Sequence, residues 1–106
     1  MSKTISINTS DSKKISVQLN FKGKKYEIIS SSEILKSEAA LPLIDKLLKE
    51  NNLKIEEIDA IRVNTGPGSY TGLRVGIAIA NALGFVLKIP VNGKKIGELA
   101  TPVYNK

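Results

Sequence analysis

The chain contains no cysteine and no histidine in its 106 residues. Those two absences remove disulfides, thiolate nucleophiles, imidazole bases and the usual ligands of zinc or iron in one step. Carboxylates are the only metal ligands left. Arginine is scarce as well: of 16 basic residues, 14 are lysine and only Arg62 and Arg74 are arginine. Aromatics make up 5% of the chain, with no aromatic-interleaved basic surface and no recognisable RNA-binding motif. No apolar run approaches the roughly 20 residues needed to span a bilayer, and Met1-Ser2-Lys3 leads into a strand pattern where a signal peptide would have its apolar core. Together these features predict a cytoplasmic protein with no membrane contact; no cofactor or metal site is read from the residues, and carboxylate-only metal binding stays open.

What is present is ordinary for a globular domain. One domain over residues 1–106 is expected, large enough for a single core but small enough that an uncovered apolar face matters. The net charge of +6 comes mostly from lysines dispersed among turns, at Lys13, Lys14, Lys22, Lys24, Lys25, Lys94 and Lys95. Solvated turns are the default reading of such a pattern, with direct nucleic-acid binding as the alternative.

The most informative stretch is Gly66-Pro67-Gly68-Ser69-Tyr70-Thr71-Gly72, a glycine-rich turn running into an apolar helix. Glycines take backbone angles closed to other residues, and Pro67 should hold Gly66 extended. Ser69 or Thr71 is placed to cap the helix that follows. Free N–H groups and the helix dipole meet at such a turn, so Gly66, Pro67, Gly68, Ser69, Thr71 and Gly72 form a candidate anion site. The pattern is not a Walker A motif, and a purely structural corner explains the same residues.

At about 100° per residue the helix has two apolar sides. Leu73, Ile77, Ala80, Gly84 and Leu87 share one; Val75, Ile79, Ala82 and Val86 share nearly the opposite one; Arg74 and Asn81 form a polar edge. Gly72, Gly76, Ala80 and Gly84, spaced by four, make a ridge that lets another backbone approach closely. Two apolar sides need two covers: the sheet and a neighbouring helix of the same chain supply both in one reading, and a second protein supplies one of them in the other.

Taken in order, residues 4–8 and 15–20 alternate as half-buried strands, joined by a hairpin loop at 9–13. Residues 21–24 turn into a third strand at 25–29, and a serine-rich link at 30–32 leads to a first helix over about 38–51, with Pro42 near its first turn. Residues 60–64 are a fourth strand feeding the glycine turn, residues 89–92 a short fifth, and the tail from Gly93 has no clear element. The pattern is α/β, with a five-stranded mixed sheet.

Leu41-Pro42-Leu43-Ile44-Asp45-Lys46-Leu47-Leu48, Ile58-Asp59-Ala60-Ile61 and Asn64-Thr65-Gly66-Pro67-Gly68-Ser69-Tyr70-Thr71-Gly72-Leu73-Arg74-Val75-Gly76 resemble the TsaB (YeaZ) family. The third stretch is the most specific. It fits the family's GPGSFTG signature, continued by Val or Leu, Arg, Ile or Val, and Gly, with Tyr70 in the aromatic slot. That family has the actin-like, RNase H-like (ASKHA) fold and is a non-catalytic paralogue of TsaD, the enzyme that attaches threonylcarbamoyl to adenosine 37 of tRNA. The resemblance spans nearly the whole chain and implies the strand order 3-2-1-4-5, with both helices on one face. It also implies a scaffold that pairs with a TsaD-like enzyme, reaches a TsaE-like ATPase through that complex, and meets tRNA only indirectly. A degenerate nucleotide- or small-ligand-binding domain is the alternative function.

Two departures from the family pattern matter. The 106 residues stop where the family's second domain would begin, as expected of either a fragment or a natural single-domain form, and Ile-Asp-Thr at the end of the first strand is here Ile7-Asn8-Thr9, replacing the carboxylate that ATP-using relatives set beside a metal with an amide. Asp11 nearby reads as a turn residue. Nothing in the residues supports the peptidase label once attached to the family. The alternating strands put Thr4, Ser6, Asn8, Ser16, Gln18, Asn20, Arg62 and Asn64 on one sheet face, as expected for a single-domain form whose second face meets water. A protein interface is expected on the second helix beside the first: Gly72, Gly76 and Ala80 for close approach, Leu73, Ile77, Leu41 and Ile44 for apolar contact, and Arg74 at the rim. The isolated chain should pair with its own copy there.

Overall fold

The computed structural model describes residues 2–11, 13–31 and 36–102, with the side chains of Lys36, Ser37, Glu38 and Tyr70 excepted. Ser12 of the hairpin loop, Ser32 of the serine-rich link and the last four residues of the tail lie outside that set. The chain forms β1 (Thr4–Asn8), β2 (Lys14–Phe21), β3 (Lys24–Ser31), α1 (Lys36–Glu50), a short 3-10 turn (Ile55–Glu57), β4 (Ala60–Val63) and α2 (Tyr70–Leu87).

Alternation in the sequence translates directly into the sheet. Ile5 and Ile7 of β1, Ile15, Val17 and Leu19 of β2, and Ile61 and Val63 of β4 point to one face and are buried, each 6% exposed or less. Against them lie Ala40, Ile44, Leu47 and Leu48 of α1 and Leu73, Ile77 and Ala80 of α2, so both helices cover the same face. The polar side chains of the strands point the other way, and no described helix covers them.

The sheet has four strands in the order β3-β2-β1-β4, with β1 antiparallel to β2 and parallel to β4. The tight β2–β3 connection is Lys22-Gly23, with φ of 54° and 72°. Two positive φ values make the turn whose twist matches that of the flanking strands.

The expected fifth strand is reduced to a single parallel bridge between Ile61 and Val91. The Ile61 N–H donates to the Pro90 carbonyl at 3.0 Å and the Asn92 N–H to the Ile61 carbonyl at 2.8 Å. Pro90 has no N–H with which to extend the ladder, and Asn92 turns into the left-handed region at φ 54°. The Asn92 side chain then does what the next strand residue would have done. Its Oδ1 accepts from the Val63 N–H at 2.8 Å and its Nδ2 donates to the Val63 carbonyl at 3.0 Å.

The helix ends follow local chemistry. α1 closes at Asn52, φ 57°, with the Leu53 N–H reaching back to the Leu48 carbonyl at 2.9 Å. α2 closes in the same way at Lys88, φ 57°, with the Ile89 N–H on the Gly84 carbonyl at 3.1 Å. A left-handed residue at this position lets a later N–H satisfy a carbonyl of the last turn. Because α1 starts two residues earlier than the spacing suggests, Pro42 stands in its second turn, not its first. Its ring lies on the exposed side of the helix.

Candidate protein interface

The glycine-rich turn is filled by the chain itself. Gly66 has φ 130°, a conformation open to glycine and different from the extended one expected before proline, and the Gly66–Pro67 bond is cis. The Gly66 N–H donates to Asn64 Oδ1 at 2.9 Å. Ser69 is the helix cap: its Oγ accepts from the Gly72 N–H at 3.3 Å, while Thr71 is exposed and takes no part. The Ser69 N–H donates to the Ser10 carbonyl at 2.7 Å. A Cβ on Gly68 would lie 2.6 Å from Ser10 Cβ and 2.9 Å from the Ser10 carbonyl oxygen, so glycine is what admits the loop after β1. The Ser69 N–H, one of the donors the turn offers, is therefore taken up by the chain itself.

One step further along, Thr9 is fully buried, with its hydroxyl against the backbone of α2. Thr9 Oγ1 donates to the Gly72 carbonyl and accepts from the Gly76 N–H at 3.1 Å. In a regular helix these two groups, four residues apart, would bond to each other. Any Cβ on Gly76 would collide with that same oxygen, and a Cβ on Gly84 would collide with the Val91 side chain. The small-residue ridge therefore holds the end of β1 and the Val91 bridge against α2.

This decides where the expected contact residues stand. Gly72, Leu73, Gly76, Ile77, Ala80 and Ile44 are buried inside the fold and offer no surface to another chain. Leu41, at 52% exposure, and Arg74 remain outside. The open apolar surface is on the other side of α2, where Ala78 and Ala82 are exposed, Phe85 is 74% exposed and Val86 73%. Val75 and Ile79 flank it, half-buried. Periodicity had marked that side through Val75, Ile79, Ala82 and Val86; Phe85, three residues beyond Ala82, was legible from the same spacing and was missed.

The polar face is organised by amides. Asn8 Oδ1 accepts from the Ser10 N–H at 3.0 Å, Ser10 Oγ at 2.6 Å and Asn64 Nδ2 at 3.2 Å. Asp11 Oδ1 accepts from the Lys13 N–H at 2.7 Å, the geometry of a turn residue. The Glu27 carboxylate accepts from Gln18 Nε2 at 2.7 Å and Ser16 Oγ at 2.8 Å. Those two donors, Gln18 first, hold its pKa below the ordinary glutamate range. Ser6, Asn8, Gln18, Arg62, Asn64 and Asn92 line an open groove of about 380 Å³ on this face. Among the described residues no group of three carboxylates comes together to hold a metal, and no helix is long and apolar enough to cross a membrane.

Comparison with known proteins agrees with this architecture. The family model of TsaD, tRNA N6-adenosine threonylcarbamoyltransferase, matches residues 31–94, more than half of the chain. The tRNA threonylcarbamoyladenosine biosynthesis protein TsaB of Haemophilus influenzae is 38% identical over 76 residues, which are 72% of this chain and 32% of that protein. The tRNA N6-adenosine threonylcarbamoyltransferase of Nitrosospira multiformis is 45% identical over 53 residues, 50% of this chain and 15% of that one. The solved structure of YeaZ from Pseudomonas aeruginosa superposes with a TM-score of 0.81 at 30% identity, over 90% of this chain and 44% of that one. The chain thus spans about a third of the length of its curated TsaB relative. With its glycine turn, both helices and β4 within the residues the family model matches, the chain belongs to the TsaD family and, within it, to the TsaB (YeaZ) group.

Proposed function

We propose that this chain is a non-catalytic partner subunit in the biosynthesis of threonylcarbamoyladenosine in tRNA, acting in the cytoplasm and docking on a TsaD-like enzyme through the open side of α2. The observation that carries the reading is a helix with Phe85 and Val86 about three-quarters exposed beside Ala78 and Ala82. Leaving a large apolar side chain in water forgoes about 1.5–3 kcal/mol of burial, and a partner surface recovers it. Leu41 and Arg74 add an apolar and a polar contact at the margin. A TsaE-like ATPase joins through the same complex, tRNA is met through the enzyme, and the isolated chain pairs with a second copy across the same patch.

Absent imidazole and thiol groups and the amide at Asn8 support the lack of chemistry of its own. The test is co-purification of the tagged chain with a TsaD-like protein from the source cell, wild type against a Phe85→Glu, Val86→Glu double variant. Capture by the wild type and loss in the variant supports the reading; equal capture by both sinks it. A second reading, a small-ligand or nucleotide binder without catalysis, draws on the 380 Å³ polar groove around Asn8, Arg62 and Asn64. Saturable binding of labelled ATP that Arg62→Ala abolishes would favour it.

A further inference from the structure

Residues 13–26 carry five lysines and no acidic residue. The β2–β3 turn gathers three of them, Lys22, Lys24 and Lys25, at one end of the sheet. The register sets Lys25 beside Asn20 and Asn20 beside Thr4, so amide, hydroxyl and ammonium groups meet across three strands. With Thr4, Asn20 and Phe21, the three lysines line an open groove of about 500 Å³. Lys22 Nζ lies 5.5 Å from the centre of the Phe21 ring, and that ring is 6.2 Å from Tyr26 at an interplanar angle of 35°.

Within the hairpin only the Glu27 carboxylate offsets this charge, acting on Lys25 from two residues away, and no ion pair is formed by Lys22, Lys24 or Lys25 among the described residues. The two ion pairs among the described residues, Lys49 with Asp45 and Lys94 with Glu98, lie elsewhere. Glu27, two residues beyond Lys25, is engaged by Gln18 and Ser16, and Asp59 accepts from the Lys3 N–H at 2.8 Å. In sequence the lysines look scattered among turns; folding makes them one wall.

We propose that this hairpin groove contacts RNA directly, its lysines on successive phosphates and Phe21 beside a base or sugar. Ammonium groups act as point charges toward phosphate, and aromatic rings in a basic groove are the sequence-tolerant platform on which unpaired bases stack. A membrane surface fits less well, because the tip presents Gly23 where a lipid-binding element would place bulky apolar residues. The proposal goes beyond the partner-subunit reading, which needs no RNA contact by this chain, and rests on a different part of the molecule.

The experiment is fluorescence anisotropy of the chain with a labelled, unmodified tRNA transcript, from 50 to 200 mM salt. Three phosphate contacts at about 0.7 counterions each weaken binding about 20-fold across that range. The triple variant K22Q/K24Q/K25Q should lose most of the binding and most of the salt dependence. A control triple with the same change of charge at exposed positions elsewhere, K46Q/K54Q/K95Q, should stay within about twofold of wild type. Each single hairpin variant should lower the logarithmic salt slope by about 0.7, which keeps the test open if the triple variant melts early by circular dichroism. No binding by wild type at 50 mM salt overturns the proposal, as does equal loss in both triples, which would mark diffuse charge. A chain that captures a TsaD-like partner yet ignores RNA overturns this inference and leaves the subunit reading standing.

Discussion

The two sides of α2 are both apolar, and they have opposite fates. One is built of small residues, Gly72, Gly76, Ala80 and Gly84, and is buried; the other carries Phe85 and Val86 and is open. Small residues mark where a neighbour comes nearest, and here that neighbour is the chain's own Thr9 and Val91. Large apolar residues mark area, and theirs is uncovered. A glycine ridge reports how close something packs without saying whose it is, whereas an exposed aromatic side chain on a folded helix points outward.

Substitutions on the two sides should separate stability from association. Gly76→Leu should have the largest effect, about 3 kcal/mol or more of destabilisation in urea unfolding, because its Cβ collides with the buried Thr9 hydroxyl. A variant as stable as wild type would mean that Thr9 has another place to go. Thr9→Val, nearly the same shape, should cost about 1–3 kcal/mol by leaving the Gly72 carbonyl and Gly76 N–H facing a methyl group. If the helix's own bonding satisfies both groups, calorimetry will show almost no change in melting temperature. Ser69→Ala should remove the cap at about 1 kcal/mol, by the same measurement with or without nucleotide present. Phe85→Glu, on the open side, should change stability by no more than about 0.5 kcal/mol while abolishing capture of a TsaD-like protein. A large drop in melting temperature for that variant would show that the open side is needed for folding.

Most of the architecture was legible because strands and helices obey different periods. Ile5, Ile7, Ile15, Val17, Leu19, Ile61 and Val63 alternate, and all seven line the core. The fifth strand misled because its evidence was composition: Ile89 and Val91 look like strand residues, but Pro90 cannot donate and Asn92 pairs by its side chain. Side-chain substitutes for backbone pairing leave no periodic trace. The same limit applied to α2, where periodicity resolved two apolar sides but could not tell which turns inward. That choice depends on Thr9, more than sixty residues away in sequence, reaching Gly72 and Gly76. The lysine groove was hidden for a related reason, since residues 22 to 25 join Thr4 only through the strand register.

The Asn92 amide also sets how many strands this sheet can still accept. The outward N–H and C=O of Ile61 and of Val63 are all engaged, by Pro90 and Asn92 backbone groups and by the Asn92 side chain. β4 is therefore a sealed margin, and β3 is the only margin at which another strand can be added to the described sheet. A unit with one sticky margin has a valence of one: it can pair, but it cannot string into a fibre, since growth by strand addition needs two. The Pro90–Asn92 segment, with its one side-chain amide, thus works as a chain terminator for any polymer seeded at this edge.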